Sequence, residues 1–130
     1  MLLFDTHVWW WAINEPKVLS QSAYKLISRT PADQRAIASI SIWEFAMMIT
    51  RKRIRLKISS EEWLDHAINR TGITVLNLTP RIALESCNLP GTFHKDPADR
   101  IIVATARIHK LKLITKDQNI IGYPNVETVW

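Results

Sequence analysis

Near the N-terminus lies the run Leu2-Leu3-Phe4-Asp5, three apolar residues followed at once by a carboxylate. A short continuous apolar run of this kind predicts a buried strand. Similar runs predict further strands over 36–39, 73–78 and 111–114, and a fifth strand over 126–129. Strands without polar alternation are typical of a sheet that is covered on both faces.

Helices are predicted between these strands. Periodic apolar spacing, or a cap followed by such spacing, indicates helices over 8–13, 21–28, 41–52, 59–70, from Thr79-Pro80, and over 96–109. Strands separated by helices form parallel pairs, because a parallel crossover needs a connection long enough for a helix. At 130 residues, the chain is predicted to be a single domain over 1–130. Its expected architecture is three-layer α/β/α around a central, mainly parallel five-stranded sheet.

The composition narrows the classes of function. Lys and Arg number 17 against 12 Asp and Glu, a net charge of +5 that favours an anionic partner. Three widely spaced glycines cannot build a glycine-rich phosphate loop. The single cysteine, Cys87, excludes an intrachain disulfide and is expected to be a small buried apolar residue. No apolar run could span a bilayer and no signal peptide is recognisable, so a soluble cytoplasmic protein is expected.

Four carboxylates are predicted near one edge of the sheet. Asp5 and Asp117 follow the first and fourth strands, Glu44 lies in the first turn after the second, and Asp99 in the first turn of the helix over 96–109. Parallel sheets bind ligands beyond the carboxyl ends of their strands. Converging carboxylates resist ionisation unless a cation lies between them, and oxygen ligands suit Mg²⁺ or Mn²⁺. With the basic surface, this pattern predicts metal-dependent phosphodiester cleavage.

The same acids also fit an ordinary structural role. Glu44 ends the capping-box pattern that begins at Ser41, and Asp99 stands in the same relation to Asp96. Acids are common in the first turn of a helix because the helix dipole favours them. Asp117 could be a turn residue. In that interpretation the chain is a non-catalytic basic module that binds RNA or protein.

Four segments in register resemble the PIN domain, and within it the VapC toxins of VapBC toxin–antitoxin systems. The resemblance covers essentially the whole chain. The matching segments are Leu3-Phe4-Asp5-Thr6-His7-Val8-Trp9-Trp10, Ser41-Ile42-Trp43-Glu44, His94-Lys95-Asp96-Pro97-Ala98-Asp99-Arg100-Ile101-Ile102-Val103-Ala104 and Leu113-Ile114-Thr115-Lys116-Asp117.

The resemblance implies a Mg²⁺- or Mn²⁺-dependent endoribonuclease and assigns roles by position. Asp5, Glu44 and Asp99 would be the core metal-binding acids. Asp117 would bind a second ion or hold a metal-bound water. Two hydroxyls would support the site, those of Thr6 and Thr115. The resemblance further implies cleavage of tRNA or rRNA, a homodimer, and silencing by a cognate antitoxin that lies over the active site.

Two surface features have open interpretations. A run of basic residues after the helix over 41–52 is either a solvated helix end or a contact for RNA or antitoxin; its residues are Arg51, Lys52, Arg53 and Arg55. The run Trp9-Trp10-Trp11 cannot face one core, because successive helical positions point about 100° apart. We favour a protein interface for these tryptophans over base stacking.

A second enzyme class also places an aspartate after the first strand. Haloacid-dehalogenase-like phosphatases and response-regulator receivers do so and transfer phosphoryl groups with Mg²⁺. The phosphatase expects a further acid two residues on, where this chain has His7. The receiver expects an acid pair at the end of the strand, and only Asp5 is present.

Overall fold

The computed structural model describes residues Met1–Trp130 and has a sheet of five strands at its centre. All neighbouring strands are parallel, and their order across the sheet is β3-β2-β1-β4-β5. The strands are β1 (Leu2–Phe4), β2 (Arg35–Ala38), β3 (Thr74–Leu76), β4 (Lys112–Ile114) and β5 (Thr128–Val129). The predicted five-stranded parallel sheet is therefore confirmed.

Seven α-helices surround the sheet. They are α1 (Thr6–Asn14), α2 (Gln21–Arg29), α3 (Ser39–Thr50), α4 (Ser60–Leu64), α5 (Pro80–Cys87), α6 (Pro97–His109) and α7 (Gln118–Ile121). Helix α4 continues into a wider π-helical turn, Asp65–Arg70, and two short 3₁₀ turns are Pro16–Val18 and Ala32–Gln34. None of these helices is long and apolar enough to cross a membrane.

Successive residues of each strand point to opposite faces of the sheet, which produces two separate cores. Leu2 and Phe4 join a core with residues of α1 to α4 and the π-helical turn, whereas Leu3 joins the core under α5, α6 and α7. The three predicted layers are therefore present. Central strand β1 is buried throughout, since β2 and β4 flank it.

Two local predictions are wrong. Ser41 does not cap a helix, because β2 runs straight into α3, which begins at Ser39 with Ala38 as a cap that makes no side-chain hydrogen bond. Cys87 is exposed rather than buried. On α5 the inward positions are Ile82 and Ser86, one turn apart, and Cys87 lies one residue beyond that inward face.

Candidate active site

All four predicted acids line one open cavity at the carboxyl edge of the sheet. Its volume is about 570 Å³. Asp5 directly follows β1, and Asp117 follows β4 after two residues. Glu44 lies in the second turn of α3 rather than the first, and Asp99 is the third residue of α6. The cavity is lined by Asp5, His7, Trp11, Glu44, Asp96, Asp99, Lys116, Asp117 and Gln118.

Asp5 is the most enclosed of the acids, with only 7% of its surface exposed. It caps α1, since its Oδ1 accepts a hydrogen bond from the Thr6 amide at 2.7 Å. Its Oδ2 accepts one from the Thr115 hydroxyl at 2.6 Å, which ties the end of β1 to the end of β4. Burial raises the pKa of the Asp5 carboxyl in spite of these bonds.

Glu44 is hydrogen-bonded to Thr6, the first residue of α1, which directly follows Asp5. Thr6 Oγ1 donates to Glu44 Oε1 at 2.6 Å and also hydrogen-bonds Ser41 Oγ at 3.0 Å. Burial, and then the neighbouring Asp5 charge, raise the pKa of Glu44. Thr6 and Thr115 therefore each contact one predicted metal-binding acid.

Asp99 is the acid whose ionisation is most disturbed. Burial raises its pKa to about 8, and the charges of the other acids around the cavity add to this rise: Asp5, Asp96, Asp117 and Glu44. Its backbone N–H is capped by Asp96 Oδ1 at 3.0 Å. Asp96 therefore serves as the predicted helix cap, while the Asp99 side chain is directed to the cavity.

A histidine that sequence reasoning gave little weight contacts Asp99. His94 Nε2 lies 3.0 Å from Asp99 Oδ2, at ion-pair distance, but without the direction of a hydrogen bond, so this buried nitrogen has no hydrogen-bond partner. Arg100 fixes the loop that carries the histidine. Its guanidinium donates to the carbonyls of Ser86 (2.8 Å), Phe93 (3.1 Å) and His94 (3.2 Å).

Asp117 is half-buried and caps α7. Its Oδ1 accepts hydrogen bonds from the amides of Asn119 (2.8 Å) and Ile120 (3.2 Å), and its own N–H donates to Thr115 Oγ1 at 3.0 Å. The turn-residue interpretation is thus correct for one oxygen of Asp117. The residue still lines the cavity, and its charge contributes to the raised pKa of Asp99.

The donor set of this cavity fits a hard divalent cation. The four acids offer only oxygen ligands, and their mutual repulsion is what a cation would relieve. No three of the acidic, histidine or cysteine side chains are arranged closely enough to enclose an ion on their own.

An aromatic and basic cluster forms another wall of the cavity. Lys116 Nζ lies 5.9 Å from the centroid of the Trp11 ring and 5.8 Å from that of Trp130. His7, adjacent in space, has its ring 5.6 Å from Trp11. Of the three consecutive tryptophans, Trp9 is buried in the core, and only Trp11 reaches the cavity. One signal for this wall was present in the sequence, because His7 lies two residues after Asp5 and Lys116 directly precedes Asp117.

The predicted basic run lies beyond the C-terminus of α3. Its side chains are exposed and form no ion pair; they are Arg51, Lys52, Arg53 and Arg55. Lys52 adopts a left-handed conformation with φ of 56°, which ends the helix. Arg51 lines a second cavity, which shares Glu44 and Asp96 with the first.

Fold and site together define an α/β protein whose acids gather at the carboxyl edge of a parallel sheet. The PIN domain model matches residues 2–125. The chain therefore belongs to the PIN domain family. The receiver alternative is also disfavoured by the strand order, because receivers have the order 2-1-3-4-5, whereas here the order is β3-β2-β1-β4-β5.

The similar proteins include a VapC ribonuclease and chains of toxin–antitoxin complexes. Ribonuclease VapC22 of Mycobacterium tuberculosis is 37% identical over 131 residues, which covers 99% of this chain and 98% of that relative. A chain of a toxin–antitoxin complex from Klebsiella pneumoniae is 26% identical, with a TM-score of 0.66 and coverage of 100% and 97%. A chain of VapBC2 from Rickettsia felis has the same fold at 17% identity, with a TM-score of 0.70 and coverage of 98% and 96%. The resemblance to VapC toxins is confirmed.

Proposed function

We propose that this chain is a metal-dependent endoribonuclease, the toxin of a type II toxin–antitoxin pair. The observation that carries the proposal is the single open cavity lined by Asp5, Glu44, Asp99 and Asp117 in a PIN domain. The 37% identical relative is named a ribonuclease. The substrate of the proposal is tRNA or rRNA, and the reaction is hydrolysis of a phosphodiester bond.

The four acids are the proposed metal ligands. Asp5, Glu44 and Asp99 would hold a divalent ion, Mg²⁺ or Mn²⁺, and Asp117 would bind a second ion or an ordered water. When bound, such an ion lowers the pKa of water and neutralises charge on a phosphoryl group.

The supporting hydroxyls and the cationic rim have roles of their own in the proposal. The hydroxyls of Thr6 and Thr115 hold one oxygen each of Glu44 and Asp5 and favour their ionised forms. Lys116 brings a positive charge to the rim of the cavity, where it can attract a phosphate.

The partners of the proposal follow from the relatives. The Klebsiella pneumoniae relative belongs to a toxin–antitoxin complex, and we infer that this chain too has a cognate antitoxin, which covers its active site. The proposed unit is a homodimer of single PIN domains, each formed by residues 1–130. It acts in the cytoplasm, where RNA is available, and has no membrane partner.

The first test is cleavage of total RNA by the purified chain with Mg²⁺, with EDTA in excess, and with the Asp99→Asn variant. We expect discrete fragments with Mg²⁺ that are absent in the two controls. Absence of cleavage in all three would favour the binding module, in which the acids are only helix caps. Fragments that persist in EDTA and in the variant would exclude the carboxylate-held metal.

The hydroxyl of Thr115 gives a prediction that does not depend on activity. Thr115→Val keeps the side-chain volume but removes the hydroxyl that donates to Asp5 Oδ2 and accepts from the Asp117 amide. Because a group that orients a metal ligand contributes about 10–100-fold to metal affinity, Mn²⁺ should bind about tenfold or more weakly. Isothermal titration calorimetry with Mn²⁺ measures this change directly.

The matched control for this variant is Thr105→Val. Thr105 is as buried as Thr115, but its hydroxyl donates to the Ile101 carbonyl within α6. Thr105→Val should lose a free energy of unfolding on the order of 1 kcal/mol, and Thr115→Val, which loses two hydrogen bonds, at least as much. Equal Mn²⁺ affinities in the two variants would contradict the supporting role of Thr115.

A further inference from the structure

A groove beside the acidic cavity has an exposed tryptophan in its wall. Trp43 lies on α3 with 56% of its surface exposed, although burial of an indole is strongly favourable. We call this cavity of about 450 Å³ the Trp43 groove; it is lined by Ile40, Trp43, Glu44, Met47, Arg51, Asp96, Pro97 and Ala98.

The Trp43 groove adjoins the acidic cavity. Both are lined by Glu44 and Asp96, so an occupant of one reaches the edge of the other. Ile40, Trp43, Glu44 and Met47 lie on one side of α3, and Arg51 directly follows the helix, four residues after Met47. Trp43 and Glu44 are consecutive and lie at nearly the same level of the helix, and Arg51 lies about 10 Å beyond them along its axis.

Charge along the groove changes sign from its inner to its outer end. Glu44 and Asp96 are at the acidic end, whereas Arg51 stands at the other end without an acidic partner. The exposed residues Lys52, Arg53 and Arg55 extend this positive end. A flat neutral ring beside the indole and an anion beside Arg51 are the groups that such a groove accommodates.

We propose that the Trp43 groove binds the nucleotide next to the scissile phosphate, with its base stacked on the Trp43 indole and its outer phosphate on Arg51. This inference rests on the proposed function and adds a substrate subsite to it. A base can enter the groove only when it is unstacked from its neighbours, so the RNA must be single-stranded there.

An RNA occupant explains the groove better than a protein one. A base adjoining the scissile bond must lie against the catalytic cavity, and the groove adjoins it through Glu44. The unpaired cations at the outer end match a phosphate backbone, whose contacts supply most of the affinity for nucleic acid. A purely apolar protein side chain in the groove would leave Arg51 without a counterion.

Photocrosslinking tests the contact without requiring cleavage. The Asp5→Asn chain is irradiated with a short oligouridine that carries one 5-iodouridine, and then digested with trypsin. The peptide over 36–51 contains Trp43 as its only tryptophan, and its other aromatic residue, Phe45, is fully buried. We expect the adduct on Trp43. Adducts found only on other peptides would overturn the proposal.

Binding measurements separate stacking from phosphate contact. In the Asp5→Asn background, Trp43→Ala should weaken oligouridine binding about tenfold, the scale of stacking one base on an aromatic ring. Trp43→Phe should restore most of it, and Tyr24→Ala, an exposed aromatic on α2, should change nothing. Arg51→Ala should lower the slope of log affinity against log salt concentration by about one, whereas Trp43→Ala leaves it unchanged.

The oligomeric state distinguishes the remaining outcomes. If Trp43→Ala converts a dimer to a monomer and leaves the affinity of the protomer for oligouridine unchanged, the groove is an interface between copies and the proposal fails. If the wild-type chain cleaves total RNA and Trp43→Ala has the same KM and kcat, this inference fails alone. A chain that neither cleaves total RNA nor binds oligouridine overturns the proposed function as well.

Discussion

Replacement of Asp5 by asparagine is expected to reduce RNA cleavage by about 100-fold or more, because a metal ligand contributes several kcal/mol to stabilisation of the transition state. Asp5 lies at the centre of the proposed site, between the hydroxyl of Thr115 and the start of α1. Cleavage of total RNA under single-turnover conditions with saturating Mg²⁺ measures the loss, and Mn²⁺ affinity from calorimetry should fall with it.

The fold should survive this change. Asparagine caps a helix as well as aspartate does, so the hydrogen bond from the Thr6 amide is retained. The variant also removes a buried carboxylate whose pKa is raised by its burial. Near-ultraviolet circular dichroism should therefore match the wild type, and the urea midpoint in EDTA should be no lower than that of the wild type. Asp65→Asn, at an exposed aspartate on the π-helical turn, is the matched control and should cleave normally. Full activity in Asp5→Asn would exclude the proposed metal site.

The sheet could be predicted from the sequence because it follows from local rules. Leu2–Phe4 is a short apolar run without polar alternation, and β4 ends in the buried apolar pair Leu113-Ile114; burial on both faces of a sheet suits such residues. Asp5 and Asp117 could then be placed at the carboxyl edge of the sheet, because each follows the end of a predicted strand. The boundaries of α3 were less predictable, because β2 passes into the helix without a loop, and the apparent cap at Ser41 lies inside it.

The four acids are brought together by tertiary contacts that no local sequence pattern reveals. A long loop precedes Asp99, and its path is set by Arg100, which binds carbonyls of Ser86, Phe93 and His94. The helix α7 was not predicted, since its four residues are too few for a periodic pattern and are held by the Asp117 cap. The exposure of Trp43 was equally hidden, because helical spacing alone does not determine which apolar residues face a core.

Replacement of Asp99 by asparagine is expected to abolish cleavage and yet stabilise the metal-free chain at pH 8. The pKa of Asp99 is raised to about 8 by its burial and by the surrounding acids, so ionisation of this carboxyl opposes folding. Only 18% of its side chain is exposed, so solvent screens this repulsion little. After loss of the favourable helix-dipole interaction is subtracted, the free energy of unfolding should rise by about 1–3 kcal/mol.

The dependence on pH follows from the direction of the shift. A carboxyl whose folded pKa lies above its unfolded value favours the folded state at low pH, and that contribution is lost as the pH rises from about 4 to the folded pKa near 8. In EDTA, the free energy of unfolding of Asp99→Asn should therefore exceed that of wild type by more at about pH 8 than at about pH 5.5, two values that fall within this window. Asp33→Asn, which removes an exposed acid in a 3₁₀ turn, makes the same change in net charge and should give no such gap.

Bound Mg²⁺ should reverse the order of stability that is expected in EDTA, so that wild type becomes more stable than Asp99→Asn. Mg²⁺ that binds the folded chain stabilises it by mass action, and it also neutralises the repulsion that raises the pKa of Asp99. Wild type should therefore gain more stability from Mg²⁺ at pH 8 than Asp99→Asn does, as measured by urea unfolding with Mg²⁺ and with EDTA. If Asp99→Asn is no more stable than wild type in EDTA at pH 8, or gains as much from Mg²⁺, then repulsion among these acids is not what a metal relieves. A cation site should therefore give a variant that is inactive and yet more stable than wild type without metal. The reason is that the crowded negative charges that bind the ion oppose folding in its absence.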